Sequence, residues 1–379
     1  MVEKQSSILK NGERQLGPDV VRICACFLVF SVHFFYNNEF YFQNVSGAKM
    51  NIMVFMRTSF MVCVPLFIML TGYLMRNQRL CASYYLKGVK TLIIYLLAST
   101  ACILFRILYE KADDDILWGY LSYSGAPYAW YIEMYFGLFA LIPFLNIMYN
   151  GIPSKKGKTV LIVTMFCLTS LPGLLNVYNF KDPGWWAQPT LSATYQQLFP
   201  AWWMRLYPLT YYFAGAYIGE YKPRPKASIC AIFLAATVTI AGLYNCWRSK
   251  DVRFIWGTWS DYTSPFTVVM AVLVFLLLVR ISGKKLPWQL RTVIGLISQV
   301  TLGAYLVSYI YDKLFYKTLI EKVPEMPDRL IWYFAIVPAV FVCSIASSFV
   351  LEAIYQLLKL SAGIISKKIK QTRSPEISA

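Results

Sequence analysis

The chain has 379 residues, of which 58% are hydrophobic and only 15% charged, and a formal net charge of +17. A water-soluble chain of this length carries far more charge, so a soluble globular protein is excluded. The basic balance does not mark a nucleic-acid binder either. Its Lys and Arg fall in short segments between apolar runs, which is the topogenic pattern of a membrane protein and not a basic face.

Apolar runs of about twenty residues, the length that crosses the hydrocarbon core, recur along the chain. They predict an all-α, polytopic integral membrane bundle of about ten transmembrane helices. The spans fall at about 17–37, 52–75, 84–108, 128–149, 158–176, 200–220, 227–247, 263–282, 292–316 and 330–358. The N-terminus is polar and shows no cleavage site after the first apolar run, so that run is read as a retained span. Residues 1–15 are expected to form a cytoplasmic segment, 16–360 a transmembrane domain, and 361–379 a disordered cytoplasmic tail.

The first span, LGPDVVRICACFLVFSVHFFYN, holds Asp19, Arg22 and His33, the single histidine of the chain. Arg22 and His33 are eleven residues apart. At roughly 100° and 1.5 Å per residue they share a face and stand about 16 Å apart along the axis. Arg22, Cys26, Val29, His33 and Asn37 form one stripe. Asp19 follows Pro18 in the first turn, where an acid complements the helix dipole.

Pro172, Pro200 and Pro208 interrupt the fifth and sixth spans, and Trp185, Trp186, Trp202 and Trp203 read as interfacial anchors. Of the 36 Lys and Arg, 22 lie in one set of loops and the termini, against nine in the other set, which places both termini in the cytoplasm. The first set includes Arg76, Arg79, Lys87, Lys222, Arg224, Arg280, Lys284 and Arg291.

Five cations remain within spans or at their rims: Arg22, Arg57, Arg106, Arg205 and Lys313. Intramembrane charges are costly unless they face a cavity or a partner, so each marks a candidate site. Arg106 and Lys313 sit where long side chains snorkel outward. In the inferred topology, His33, Arg57, Glu133 and Arg205 fall at one depth just below the outer surface. This implies an outward-facing, water-accessible pocket with His33 and Glu133 on its wall. Seven of the nine cysteines lie inside apolar runs, and none has a Cys or His partner at zinc spacing. No metal site and no disulfide framework is expected.

Several motifs in order resemble a known family. Asp19, Arg22, Ala25 and His33 give D-x-x-R-x-x-A with a histidine eleven after the arginine, which resembles the signature of the acyltransferase-3 family. VPLFIMLTGYLM (Val64 to Met75) is similar to its second-helix pattern, and Arg76 to Arg79 to the basic motif after it. AWYIEMYFGLFALIPFL, YYFAGAYIG and TLGAYLVSYI resemble later elements. Ser308 stands where many members carry histidine. The likeness covers about residues 16–355, and the chain resembles the standalone type.

The resemblance implies a membrane O-acyltransferase that moves an acyl group, usually acetyl, from cytoplasmic acyl-CoA to a hydroxyl of a surface polysaccharide or lipid-linked glycan. It implies a bacterial cytoplasmic membrane. A sugar hydroxyl is a poor nucleophile near neutral pH, and a neutral imidazole is the side chain suited to take its proton. His33 is therefore the expected general base, acting directly or through an acyl-histidine. Glu133 is expected to orient the ring or to neutralise a neighbouring arginine. Arg57 or Arg205 would bind the thioester oxygen or the sugar. The polyanionic nucleotide end of CoA would lie against Arg22, Arg76, Arg79 and Lys87. The residues leave a second class open: a glycan exporter or translocation partner whose pocket binds sugar without acyl chemistry. A membrane sensor is a third.

Overall fold

The computed structural model describes residues 15–190 and 192–372, with side chains to 362. The described residues are 76% helical, and among them there is no strand, only isolated bridges joining Asn44 to Arg253 and Val45 to Lys250. The principal helices are α1 (Leu16–Asn37), α2 (Gly47–Phe60), α3 (Cys63–Met75), α4 (Gly88–Phe105), α5 (Trp130–Gly151), α6 (Lys155–Thr169), α7 (Tyr207–Tyr221), α8 (Ala227–Arg248), α9 (Pro265–Leu278), α10 (Trp288–Lys322) and α11 (Tyr333–Thr372).

Nine helical stretches among the described residues are long and apolar enough to cross a membrane, one of them α2 and α3 in succession. The expected second span is thus broken at Met61 and Val62. Pro65 supplies the cause, since it has no N–H to offer the carbonyl four residues back. The expected sixth span corresponds to α7, which has only 15 residues and reaches about 22 Å. The chain before it, with Pro200, runs irregularly up to a short 3₁₀ turn at Met204–Leu206. Helix α11 continues to Thr372, into the segment expected to be a tail; residues 1–14 and 373–379 lie outside the described residues.

The chain divides into two compact units. The first holds residues up to 80, 141–299 and 312–338. Its helices meet through glycine. A Cβ on Gly215 would lie 1.9 Å from the Met69 carbonyl, and one on Gly72 would lie 2.0 Å from that of Tyr212. Helices α3 and α7 therefore touch backbone to backbone, as small residues permit in membranes. Gly17 approaches Val279 in the same way, which seats the start of α1 against the end of α9. Asn146 donates to the carbonyls of Met75 and Gln78, both at 2.8 Å, and accepts from Tyr212 Oη at 2.7 Å. One buried amide thereby satisfies carbonyls at and just beyond the end of α3.

The loops of this unit are pinned by buried arginines. Arg248 donates to the Val177 carbonyl (2.7 Å) and to Tyr195 Oη (2.8 Å), and its guanidinium lies 3.8 Å from the Trp259 ring centre. Trp185 packs beneath the same guanidinium and is fully buried, so it is no interfacial anchor; Trp186, Trp202 and Trp203 are exposed. The cation–π contacts let a charge sit in an apolar surrounding.

The second unit holds residues 81–140, 300–311 and 339 onward. Tyr305 donates to the Tyr128 carbonyl, Tyr309 to Glu110 at 2.8 Å, and Ser348 to the Val300 carbonyl at 2.6 Å. Arg106, expected to snorkel, pairs with Asp114 at 2.8 Å. Ser308 donates to the Tyr305 carbonyl of its own helix.

Candidate active site

Helix α1 sets the geometry. Its stripe from Arg22 to Asn37 holds as expected, with Cys26, Val29 and His33 turned inward. At the C-terminal end of α1, His33 Nδ1 lies 3.1 Å from Asp312 Oδ2 of α10. Asp312 is 1% exposed and His33 9%. Asn37, one turn beyond His33, donates to the His33 carbonyl at 3.0 Å and to the same Asp312 oxygen at 3.4 Å. A buried carboxylate is tolerated only when its oxygens are satisfied. Here an imidazole N–H and the Asn37 amide both serve one of them, Oδ2. With Nδ1–H donating to Asp312, Nε2 is left with the lone pair.

The far end of the helix is basic. Arg22 Nη1 donates to Ser298 Oγ at 3.0 Å and stands 3.9 Å from Asp19 Oδ1, too long for a hydrogen bond. Ser298 and Asp312 are fourteen residues apart on α10, about 21 Å of rise. Helices α1 and α10 thus run in the same direction along this seam, contacting each other at both ends of the Arg22–His33 interval.

Arg22 opens onto a cavity of about 420 Å³ lined also by Asp19, Tyr73, Arg76 and Lys222. Gln15, Tyr73 and Lys222 also line a second cavity of about 640 Å³, reached by Arg224, Arg280, Lys284 and Arg291. Arg76 is held there by donating to the Tyr73 carbonyl. Two expected donor-binding residues, Arg22 and Arg76, are thus brought together. Arg79 and Lys87 are exposed and line neither cavity.

Arg57 is wholly buried. It donates to the Ser260 carbonyl and to Tyr41 Oη (3.2 Å), and lies between the rings of Phe254 and Trp256 at 4.9 and 4.7 Å. These contacts fix the loop before α9. Arg205 is exposed in the 3₁₀ turn ahead of α7. Glu133 is exposed in the first turn of α5, in the second unit. The carboxylate against His33 is Asp312, which reasoning from the sequence passed over. Its signal was an acid within the ninth apolar span, beside the Lys313 that was singled out. In the sequence the cations of the larger cavity read only as topogenic charges.

Among the described residues no group of three or more His, Cys, Asp or Glu is placed to hold a metal. A polytopic helical bundle with a carboxylate-paired imidazole at one end of its first helix, and basic cavities at the other, is the class defined by fold and site. Residues 15–351 match the acyltransferase-3 family model, described as an acyltransferase domain; the chain belongs to that family and is a membrane acyltransferase. No curated protein and no solved structure matches it.

Proposed function

We propose that the chain transfers an acyl group, acetyl in the first instance, from cytoplasmic acyl-CoA to a hydroxyl of a surface polysaccharide or lipid-linked glycan at a bacterial cytoplasmic membrane. The observation that carries this reading is the pairing of Asp312 with His33, which stands on the same helix as Arg22. The loop-charge bias assigns the basic cavities to the cytoplasm and His33 to the outer half of the membrane.

In the reaction, the sugar hydroxyl attacks the thioester carbonyl while His33 Nε2 takes its proton. Asp312 holds the ring by Nδ1 and stabilises the imidazolium, the role an acid plays in a catalytic triad. The tetrahedral intermediate collapses with cleavage of the C–S bond, and the departing thiolate of CoA recovers the proton from the imidazolium. CoA is held by its phosphates against Arg22 and Arg76, with the acylated pantetheine arm directed toward His33.

The test is transfer of label from acetyl-CoA to glycan by protein reconstituted in nanodiscs. His33→Ala should abolish transfer while the folded protein survives. Full acylation by that variant would remove His33 from the mechanism. Glycan movement across a vesicle without any acylation would favour an exporter instead.

A further inference from the structure

We propose that the larger basic cavity receives a phosphomonoester dianion, the 3′-phosphate of the CoA nucleotide, so that the protein distinguishes CoA from its 3′-dephospho form. The inference rests on the CoA reading above and goes further by assigning a separate receptor to one phosphate.

Four observations support it. The cavity has about 640 Å³, within the range of sites for ligands of nucleotide size. Its wall carries five cations, Lys222, Arg224, Arg280, Lys284 and Arg291, and among the described residues no Asp or Glu. They come from separate stretches of chain: the loop after α7, the end of α9 with its following loop, and the first turn of α10. Arg280 is braced at the wall, donating to the Pro225 carbonyl at 2.6 Å and to that of Leu276.

Charges that serve only topology need lie in a loop; they need not converge on one concavity. A phosphomonoester carries close to two negative charges at neutral pH, which suits such a wall. The smaller cavity, with Arg22 and Arg76 offset by Asp19, is the weaker field and adjoins the larger through Lys222. That order matches CoA, whose 3′-phosphate stands apart from the pyrophosphate that leads into the pantetheine arm. An anionic lipid headgroup offers the same phosphate chemistry, so the experiment must separate the two sources.

Binding of CoA and of dephospho-CoA is measured by calorimetry on the full chain in nanodiscs, with and without phosphatidylglycerol. CoA should bind about 10-fold tighter or better, the worth of one charge-assisted contact set. The double variant Lys284→Ala/Arg291→Ala should lose that preference and keep its affinity for dephospho-CoA, which also reports that it is folded. Equal affinities in the wild type would overturn the assignment, as would a preference that survives in the variant. Loss of retained phosphatidylglycerol from the variant, with the CoA preference intact, would make the cavity a lipid site. If the wild type binds neither nucleotide, the donor reading itself fails.

Discussion

His33 Nδ1 stands 3.1 Å from Asp312 Oδ2, across a separation of 279 residues. The acid is sealed from solvent, and the ring and the Asn37 amide both meet its Oδ2. Replacing Asp312 by Asn keeps the shape and removes the charge that fixes the tautomer. Acyl transfer should fall by about 10²-fold or more, with the protein still folded. Single-turnover transfer of labelled acetyl would measure this, and a loss under threefold would reduce Asp312 to packing.

The length of the apolar runs made the helices legible, and the eleven-residue spacing made the Arg22–His33 stripe legible, because both are local properties of one helix. Asp312 was not legible as a partner. Its pairing depends on how α10 lies along α1, which no spacing within either segment encodes. The short α7 was overread because Pro200 and Pro208 bracket a stretch whose apolar content continues while its backbone does not. The basic cavities were hidden by a double use of charge: Lys222, Arg224, Arg280, Lys284 and Arg291 look the same whether they set topology or line a wall.

Arg329 should control the C-terminal end of α1. It is buried and donates to the carbonyls of Val323 and Pro324, both at 2.7 Å, and to the Asn38 carbonyl and Glu39 Oε2, both at 2.9 Å. Glu39 has φ +68, so the chain leaves the helix through a left-handed residue that needs holding. Arg329→Ala orphans the buried Asn38 carbonyl and the half-buried Val323 carbonyl and should cost roughly 3 kcal/mol. A lowered melting temperature of the purified protein, with Arg329→Lys in between, is the expected result.

The α3–α7 contact gives a sharp contrast between two glycines. Gly215→Ala forces its new methyl into the Met69 carbonyl, whereas a Cβ on Gly137 meets nothing within 4 Å. The first should sharply reduce the yield of folded protein, since helix axes must part along the whole contact. The second should be neutral or slightly stabilising, because alanine suits a helix better than glycine. Detergent extraction followed by size-exclusion chromatography distinguishes them, and equal behaviour would mean that the close approach does not hold the two helices.

The last prediction concerns the division of labour along α1. Arg22 lies about 16 Å from His33, too far to touch the acyl carbon and well placed to hold a phosphate. Removing it should weaken binding of donor without changing the chemical step. Arg22→Gln and Arg76→Gln are each expected to raise KM for acetyl-CoA about 10-fold and to leave kcat within a factor of three. Asp312→Asn should do the reverse and lower kcat at nearly constant KM. Salt provides an independent readout, because a basic cavity open to water loses affinity for a polyanion as ions screen it. KM should therefore rise with ionic strength in the wild type and rise less steeply in either arginine variant. Were Arg22→Gln to depress kcat as deeply as Asp312→Asn, the two ends of the helix could not be serving separate parts of the donor, and the arginine would belong to the reacting centre.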